Sequence, residues 1–269
     1  MTDAKGRAHL IAGGFPPGSM GGHDHDYARL KLLGLLAERD IPASVGNDFD
    51  DVEKWLPVSD MLITYVAGPY PNAGQTRAIQ SWLEAGGKWL ALHGTSGGRA
   101  ERVEGSRQRR TVKSEHHALL GSYFLTHPPI REFRVNVAAA DSPLTRGLGS
   151  SFVVEDEPYF IELQDPGGTQ ILLTAEYGPD AVSPSIGTLY PKDTSLQADG
   201  KTRVIGYTKP VGQGGIAYYA LGHCHNPAIR AARAFTDPND TTPPIFRVPW
   251  ETGGFVTLLR NAIAWGIES

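Results

Sequence analysis

The chain holds one cysteine, Cys224, in 269 residues, and a single thiol forms neither an intramolecular disulfide nor a multi-thiolate zinc site. That usage suits a reducing cytoplasm. An excess of positive charge is also missing: 25 Lys plus Arg stand against 29 Asp plus Glu, a formal net charge of −4. With no global field to gather phosphate backbones, nucleic acid is not an expected partner. No apolar run approaches the ~20 residues that cross a bilayer. Asp3, Lys5, Arg7 and His9 interrupt the first apolar residues before a signal-peptide core can form. The expectation is a soluble, unprocessed, cytoplasmic protein with no membrane partner. Internal repeats and polar linkers are absent too, so residues 1–269 read as one domain. Turn formers, by contrast, abound. Glycine at 32 and proline at 20, spread without a period, exclude collagen and coiled coil and imply many turns.

The first ninety residues alternate strand and helix signals. Ala8 to Ala12 is an apolar run that stops at Gly13-Gly14, and a Gly/Pro-rich loop follows to Gly22. Tyr27 to Arg39 places Leu30, Leu33 and Ala37, with Leu32 and Leu36, at helical spacing, and Asp24 or Asp26 is placed to cap that helix. Ile41 to Val45 reads as a second strand and Asp50 to Leu56 as a helical turn. Met61 to Val66 is a continuous apolar run of the kind buried on both faces of a parallel sheet. Gly74 to Ala85 carries the stripe Ile79, Trp82 and Leu83, and Gly86-Gly87 ends it before the run Trp89 to Leu92. This rhythm predicts an α/β fold on a mainly parallel, doubly wound sheet, with Met61 to Val66 and Trp89 to Leu92 as adjacent central strands.

After His93 the rhythm changes. Gly94 to Arg110 reads as a surface excursion and Ser114 to Leu120 as a short helix capped by Ser114. Arg131 to Val137, Phe152 to Val154, Gln170 to Leu173, Arg203 to Tyr207 and Ile216 to Leu221 read as strands, and Phe255 to Trp265 as a closing helix. Two long connections, Gly178 to Gly200 and Phe235 to Gly254, are candidates for lids or for contacts in a homo-oligomer.

Ligands of open parallel sheets bind beyond the carboxyl ends of the strands. Those ends deliver Gly21-Gly22-His23-Asp24-His25-Asp26, Tyr65 to Tyr70, Leu92-His93-Gly94-Thr95-Ser96 and Gly222-His223-Cys224-His225-Asn226. His93 ends an apolar strand and precedes Gly94, a setting that points to function. His116, His117 and His127 read more readily as structural histidines, with a substrate-binding role left open for His127. His23 and His25 bracket acids that serve equally well as helix caps. His223 and His225 share one side of an extended chain, with Cys224 on the other.

Neutral imidazole is the commonest metal ligand, so a divalent metal is the candidate cofactor, with His23, His25, His223 and His225 as first ligands. Cys224 reads as a buried small hydrophobe rather than a nucleophile. Neither a G-x-G-x-x-G nor a Walker pattern is present. Glu157, in Glu155-Asp156-Glu157, is a candidate carboxylate partner for a histidine.

In order and spacing, several stretches together resemble the trehalose-utilisation ThuA-like family of the class I glutamine amidotransferase-like superfamily. They are Gly22-His23-Asp24, Glu84-Ala85-Gly86-Gly87 leading to Leu92-His93-Gly94, and Leu120-Gly121-Ser122-Tyr123-Phe124 with His127-Pro128-Pro129. Ser142-Pro143-Leu144-Thr145-Arg146-Gly147-Leu148, Asp156-Glu157-Pro158-Tyr159 and Tyr219-Ala220-Leu221-Gly222-His223 continue the match, which runs from about Leu10 to Gly266. The resemblance implies a flavodoxin-like sheet and a place in the catabolism of trehalose-related or oxidised (keto) sugars. The chain departs from the superfamily where it has His93 at the position of the amidotransferase cysteine, which argues against glutaminase chemistry. Cys224 also stands where family members often carry an acid.

The expectation is therefore a sugar-modifying enzyme using histidine acid and base chemistry, with or without a metal, on a small-molecule sugar. His93, His223, Asp24 and Glu157 are its catalytic candidates, and His23, Gly94, Thr95, Tyr65, Tyr159 and His127 its substrate-binding candidates. The alternative is a non-catalytic sugar-binding or sensing protein on the same fold.

Overall fold

Strand and helix alternate through the first third of the computed structural model, which describes residues 6–14, 22–105, 109–178, 190, 192–228 and 243–268. The order is β1 (Ala8–Gly13), α1 (His25–Ala37), β2 (Ala43–Gly46), α2 (Val52–Trp55), β3 (Met61–Val66), α3 (Ala73–Glu84) and β4 (Lys88–Leu92). Local chemistry sets these boundaries. The Asp24 carboxylate accepts the Tyr27 N–H and starts α1, and Asn72 and Gln75 form a reciprocal capping box that starts α3. The second strand begins two residues later than its predicted Ile41, after Pro42, which has no N–H to give a ladder.

The remaining elements are β5 (Ala100–Arg102), β6 (Arg109–Thr111), α4 (Glu115–Leu120), β7 (Ser122–Thr126), β8 (Arg131–Val137), β9 (Ser151–Asp156), β10 (Phe160–Leu163), β11 (Gln170–Glu176), β12 (Thr202–Val211), β13 (Gly214–Tyr219), α5 (Val248–Glu251) and α6 (Gly253–Glu268). Among the described residues the main sheet has nine strands in the order β2-β1-β3-β4-β13-β12-β11-β8-β9. The pairs from β2 to β13 are parallel, and those from β13 to β9 are antiparallel.

The sheet is thus mixed, which corrects the expectation of a mainly parallel one. The reason lies in the connections. Only Gly212 and Gln213 separate β12 from β13, with Gly212 at φ 58°, and a two-residue hairpin imposes antiparallel pairing. In the parallel half, β3 and β4 are adjacent as expected, with Met61 opposite Lys88 and Tyr65 opposite Leu92.

Two small antiparallel pairs among the described residues lie outside the main sheet. The β5–β6 hairpin falls within the predicted surface excursion, and β7 pairs with β10. Both faces of β1, β3 and β13 are buried, and they anchor a core that includes Leu10, Ile63, Trp89, Ile216 and Phe255. Residues 15–21, 179–189, 191 and 229–242, including much of both candidate lid or oligomer loops, lie outside the described residues. Among those described, no helix is long and apolar enough to cross a membrane.

Candidate functional site

Four segments converge beyond the carboxyl ends of the parallel strands. The loop after β1 brings His23, the turn after β4 brings His93, the end of β9 brings Glu157, and the segment after β13 brings His223. All four side chains are buried, and one donor atom from each lies within 4.8 Å of the others.

His93 occupies a sharp strand-to-turn corner with φ at 44°, in the left-handed region that most side chains avoid. The corner is held from several directions. Its Nδ1 donates to the Ala220 carbonyl at 2.9 Å, and its own carbonyl accepts the Tyr218 hydroxyl at 2.9 Å. A Cβ on Gly94 would sit 2.3 Å from the Val66 carbonyl oxygen, so glycine permits the chain to pass. The Thr95 hydroxyl bonds the Thr64 carbonyl at 3.1 Å. His116 and His117 on α4 donate their Nε2–H groups to the carbonyls of Thr95 and Gly97 at 2.8 and 2.9 Å. Gly94 and Thr95, expected to bind substrate, are engaged in this packing.

His223 is positioned with comparable rigidity. Gly222 turns the chain at φ 111°, and its carbonyl accepts the Tyr65 hydroxyl at 2.9 Å and the Trp250 indole N–H at 2.8 Å. Asp156 clamps the turn from below. Its carboxyl oxygens accept the N–H groups of Gly222 at 2.7 Å, His223 at 3.1 Å and Glu157 at 2.8 Å. Burial pushes Asp156 up to about 8, against the downward pull of those three donors.

Glu157 sits between two imidazoles: one oxygen is 3.1 Å from His223 Nδ1, and the other is 3.5 Å from His127 Nδ1. His223 Nε2 lies 3.0 Å from His225 Nδ1, and His225 Nε2 lies 2.8 Å from the Pro243 carbonyl oxygen. Tyr159 forms one wall. Its ring centre is 3.9 Å from that of His93 and 4.1 Å from Phe124, and it stacks on His127 at 11° between planes. Its hydroxyl is 3.3 Å from His23 Nε2.

Some candidates border the four-donor group without joining it, the Tyr65 ring lying 5.9 Å from that of His23 and stacked on His93 at 6.3 Å. Asp24 caps α1 and pairs with Arg247 at 3.0 Å. Tyr65 is buried, with its hydroxyl on the Gly222 carbonyl. His25 and His225 are outside the four-donor group, which takes in His93 and Glu157 instead. Burial, reinforced by Arg29, holds His25 down to about 4. Cys224 points its thiol at the Asp24 carbonyl, 3.4 Å away, and burial pushes that thiol up to about 12, so no reactive thiolate forms near neutral pH. Sequence reasoning missed Asp156 as a clamp. Its signal was an acid at a strand end next to the one chosen.

The sequence profile of the trehalose utilisation family, ThuA, matches residues 21–234. The chain belongs to the ThuA family. A ThuA-like protein from Bacteroides uniformis superposes with a TM-score of 0.61 at 18% identity, covering 99% of this chain and 93% of that one. A second, from Parabacteroides merdae, gives 0.60 at 15% identity, with 98% and 90% covered. A beta-galactosidase from Rahnella sp. R3 shares the fold over 82% of this chain and 29% of its own, at 13% identity and a TM-score of 0.52. No curated protein sequence matches the chain. In this ThuA-family protein the matched span contains His23, His93, Glu157 and His223, while Pro243, Arg247 and Trp250, which brace the site, fall beyond it.

Proposed function

We propose that this ThuA-family protein is a sugar-modifying enzyme of carbohydrate catabolism, acting on a trehalose-related or oxidised (keto) sugar at the cluster His23, His93, Glu157 and His223. One observation carries the reading: four titratable side chains from four separate segments place donor atoms within 4.8 Å of one another in a buried setting. Gathering them takes polar groups out of water at a cost of several kcal/mol in order of magnitude. The clamp at Asp156 and the bonds around His93 offset that cost. A protein that only binds or senses a sugar needs hydrogen-bond donors and an apolar face, not four groups that exchange protons or hold a charge.

The parallel strands run in the order β2-β1-β3-β4-β13, an order that supports a flavodoxin-like reading, in which ligands gather beyond the strand ends beside the reversal of order at β1 and β3. Tyr159, Phe124 and His127 form an aromatic wall beside the cluster, suited to the apolar face of a pyranose ring. The reaction class is isomerisation, elimination or hydrolysis, in which a proton leaves a carbon or hydroxyl beside a polarised oxygen.

The test is untargeted mass spectrometry of a panel of trehalose-related and keto-sugars incubated with the protein. A new or rearranged sugar in a keto-sugar sample supports the enzyme. Saturable binding across the panel with every sugar recovered unchanged contradicts it and indicates a sensor.

A further inference from the structure

We infer that His23, His93, His223 and Glu157 hold one divalent transition-metal ion. This deepens the sugar-enzyme reading by naming the cofactor of the same site, and its test reads the ion with no sugar present.

The argument follows the hydrogen atoms along a chain of contacts. The Pro243 carbonyl can only accept, so His225 Nε2, 2.8 Å away, carries a hydrogen. A neutral His225 then offers Nδ1 as an acceptor to His223 Nε2 at 3.0 Å, which places the hydrogen of His223 on Nε2. His223 Nδ1 then carries the lone pair, 3.1 Å from Glu157 Oε1. Two electron-rich atoms at that distance call for positive charge between them.

The same logic applies across the site. His93 Nδ1 bonds the Ala220 carbonyl at 2.9 Å and carries its hydrogen there, so Nε2 of the neutral ring bears the lone pair. An extra proton shared along Glu157, His223 and His225 would satisfy one pair of donors. A dication can take one ligand atom from each of the four, which lie within 4.8 Å of one another. The 3.1 Å separation of His223 and Glu157 also matches the edge of a tetrahedron with bonds of about 2.0–2.1 Å, which is about 3.3 Å.

The outer contacts fit as well. Metal-bound imidazoles typically pass their other N–H to a carbonyl or another acceptor, as His93 does to Ala220 and His223 to His225. His225 is therefore a positioning residue that commits His223 to Nδ1 ligation. Three imidazoles and one carboxylate suit zinc, iron, cobalt, nickel or manganese, whereas calcium and magnesium favour all-oxygen sites.

The experiment uses the full chain without a histidine tag, purified without chelator and analysed for metals by mass spectrometry. Stripped protein is then titrated with Zn2+ and Co2+ by calorimetry and visible absorption. About one ion per chain, visible d–d bands with Co2+ and a raised thermal midpoint are expected. Glu157→Gln and His93→Ala should lose the ion, and His225→Phe should weaken affinity about 10- to 100-fold, as loss of an outer partner does.

Stripped wild-type protein that takes up neither Zn2+ nor Co2+ overturns the inference in favour of the shared proton, whether or not the variants fold. Full sugar turnover by stripped protein overturns the ion as a cofactor of the reaction while upholding the enzyme. Tight metal uptake with no sugar changed supports the metal and removes the enzyme reading.

Discussion

Asp156 accepts the backbone N–H groups of both Gly222 and His223, at 2.7 and 3.1 Å, and so ties the end of β9 to the end of β13 across the antiparallel half of the sheet. These strands are not neighbours: β12, β11 and β8 lie between them. The contact sets the spacing of Glu157 and His223, because each follows directly from a clamped backbone position.

Asp156→Ala should accordingly lower stability by about 1–3 kcal/mol, the penalty of leaving buried donors unsatisfied. It should also loosen the site. Denaturant unfolding of wild type and variant measures the first effect. An unchanged midpoint would show that the clamp contributes nothing.

Cys224 should be inert. Its thiol is buried and pushed up to about 12 by burial, so a thiol reagent such as DTNB should label it only after unfolding. Cys224→Ala should keep whatever turnover wild type has, and neither protein should release ammonia from glutamine. Rapid labelling of the native protein, or ammonia release abolished by the substitution, would reverse this account.

Stability should fall in mild acid. Burial is the main cause holding His9 and His25 to about 4 and His116 to about 3, below the ordinary 6.5. Between those values the unfolded chain binds more protons than the folded one, so stability is full above pH 6.5 and declines as pH falls toward 4. His116→Gln can keep a donor to the Thr95 carbonyl without a titrating ring, and should reduce the decline by about 1.4 kcal/mol per pH unit at most. Thermal midpoints from pH 7.5 to 4.5 test it, and identical slopes in the two proteins would contradict it.

The parallel half of the fold was legible because its inner strands β1, β3 and β4 are largely apolar, buried runs, separated by capped helices. Met61 to Val66 matched β3 residue for residue. In the antiparallel half Arg131 to Val137 matched β8, and the strands that were harder to read, β5, β6, β7 and β10, lie outside the main sheet. β7 starts directly after Gly121, with φ at 96°, and is only five residues long, so no alternation marks it. The site was legible as strand ends bearing histidine, but not as a donor set. Spacing along the chain favoured His25 and His225, two residues from His23 and His223. Which imidazoles meet instead depends on the turn at His93, where φ is 44°, and on the clamp at Asp156, both long-range features that local pattern does not encode.

The central claim is that the side chains of His93 and Glu157 do chemistry rather than hold the fold. It is tested most directly by measuring turnover of the sugar identified in the panel and the thermal midpoint on the same preparations of wild type, His93→Ala and Glu157→Gln. The account predicts turnover lower by about 10²- to 10⁴-fold in each variant, with folded protein at the assay temperature. Wild-type turnover in either folded variant would contradict it.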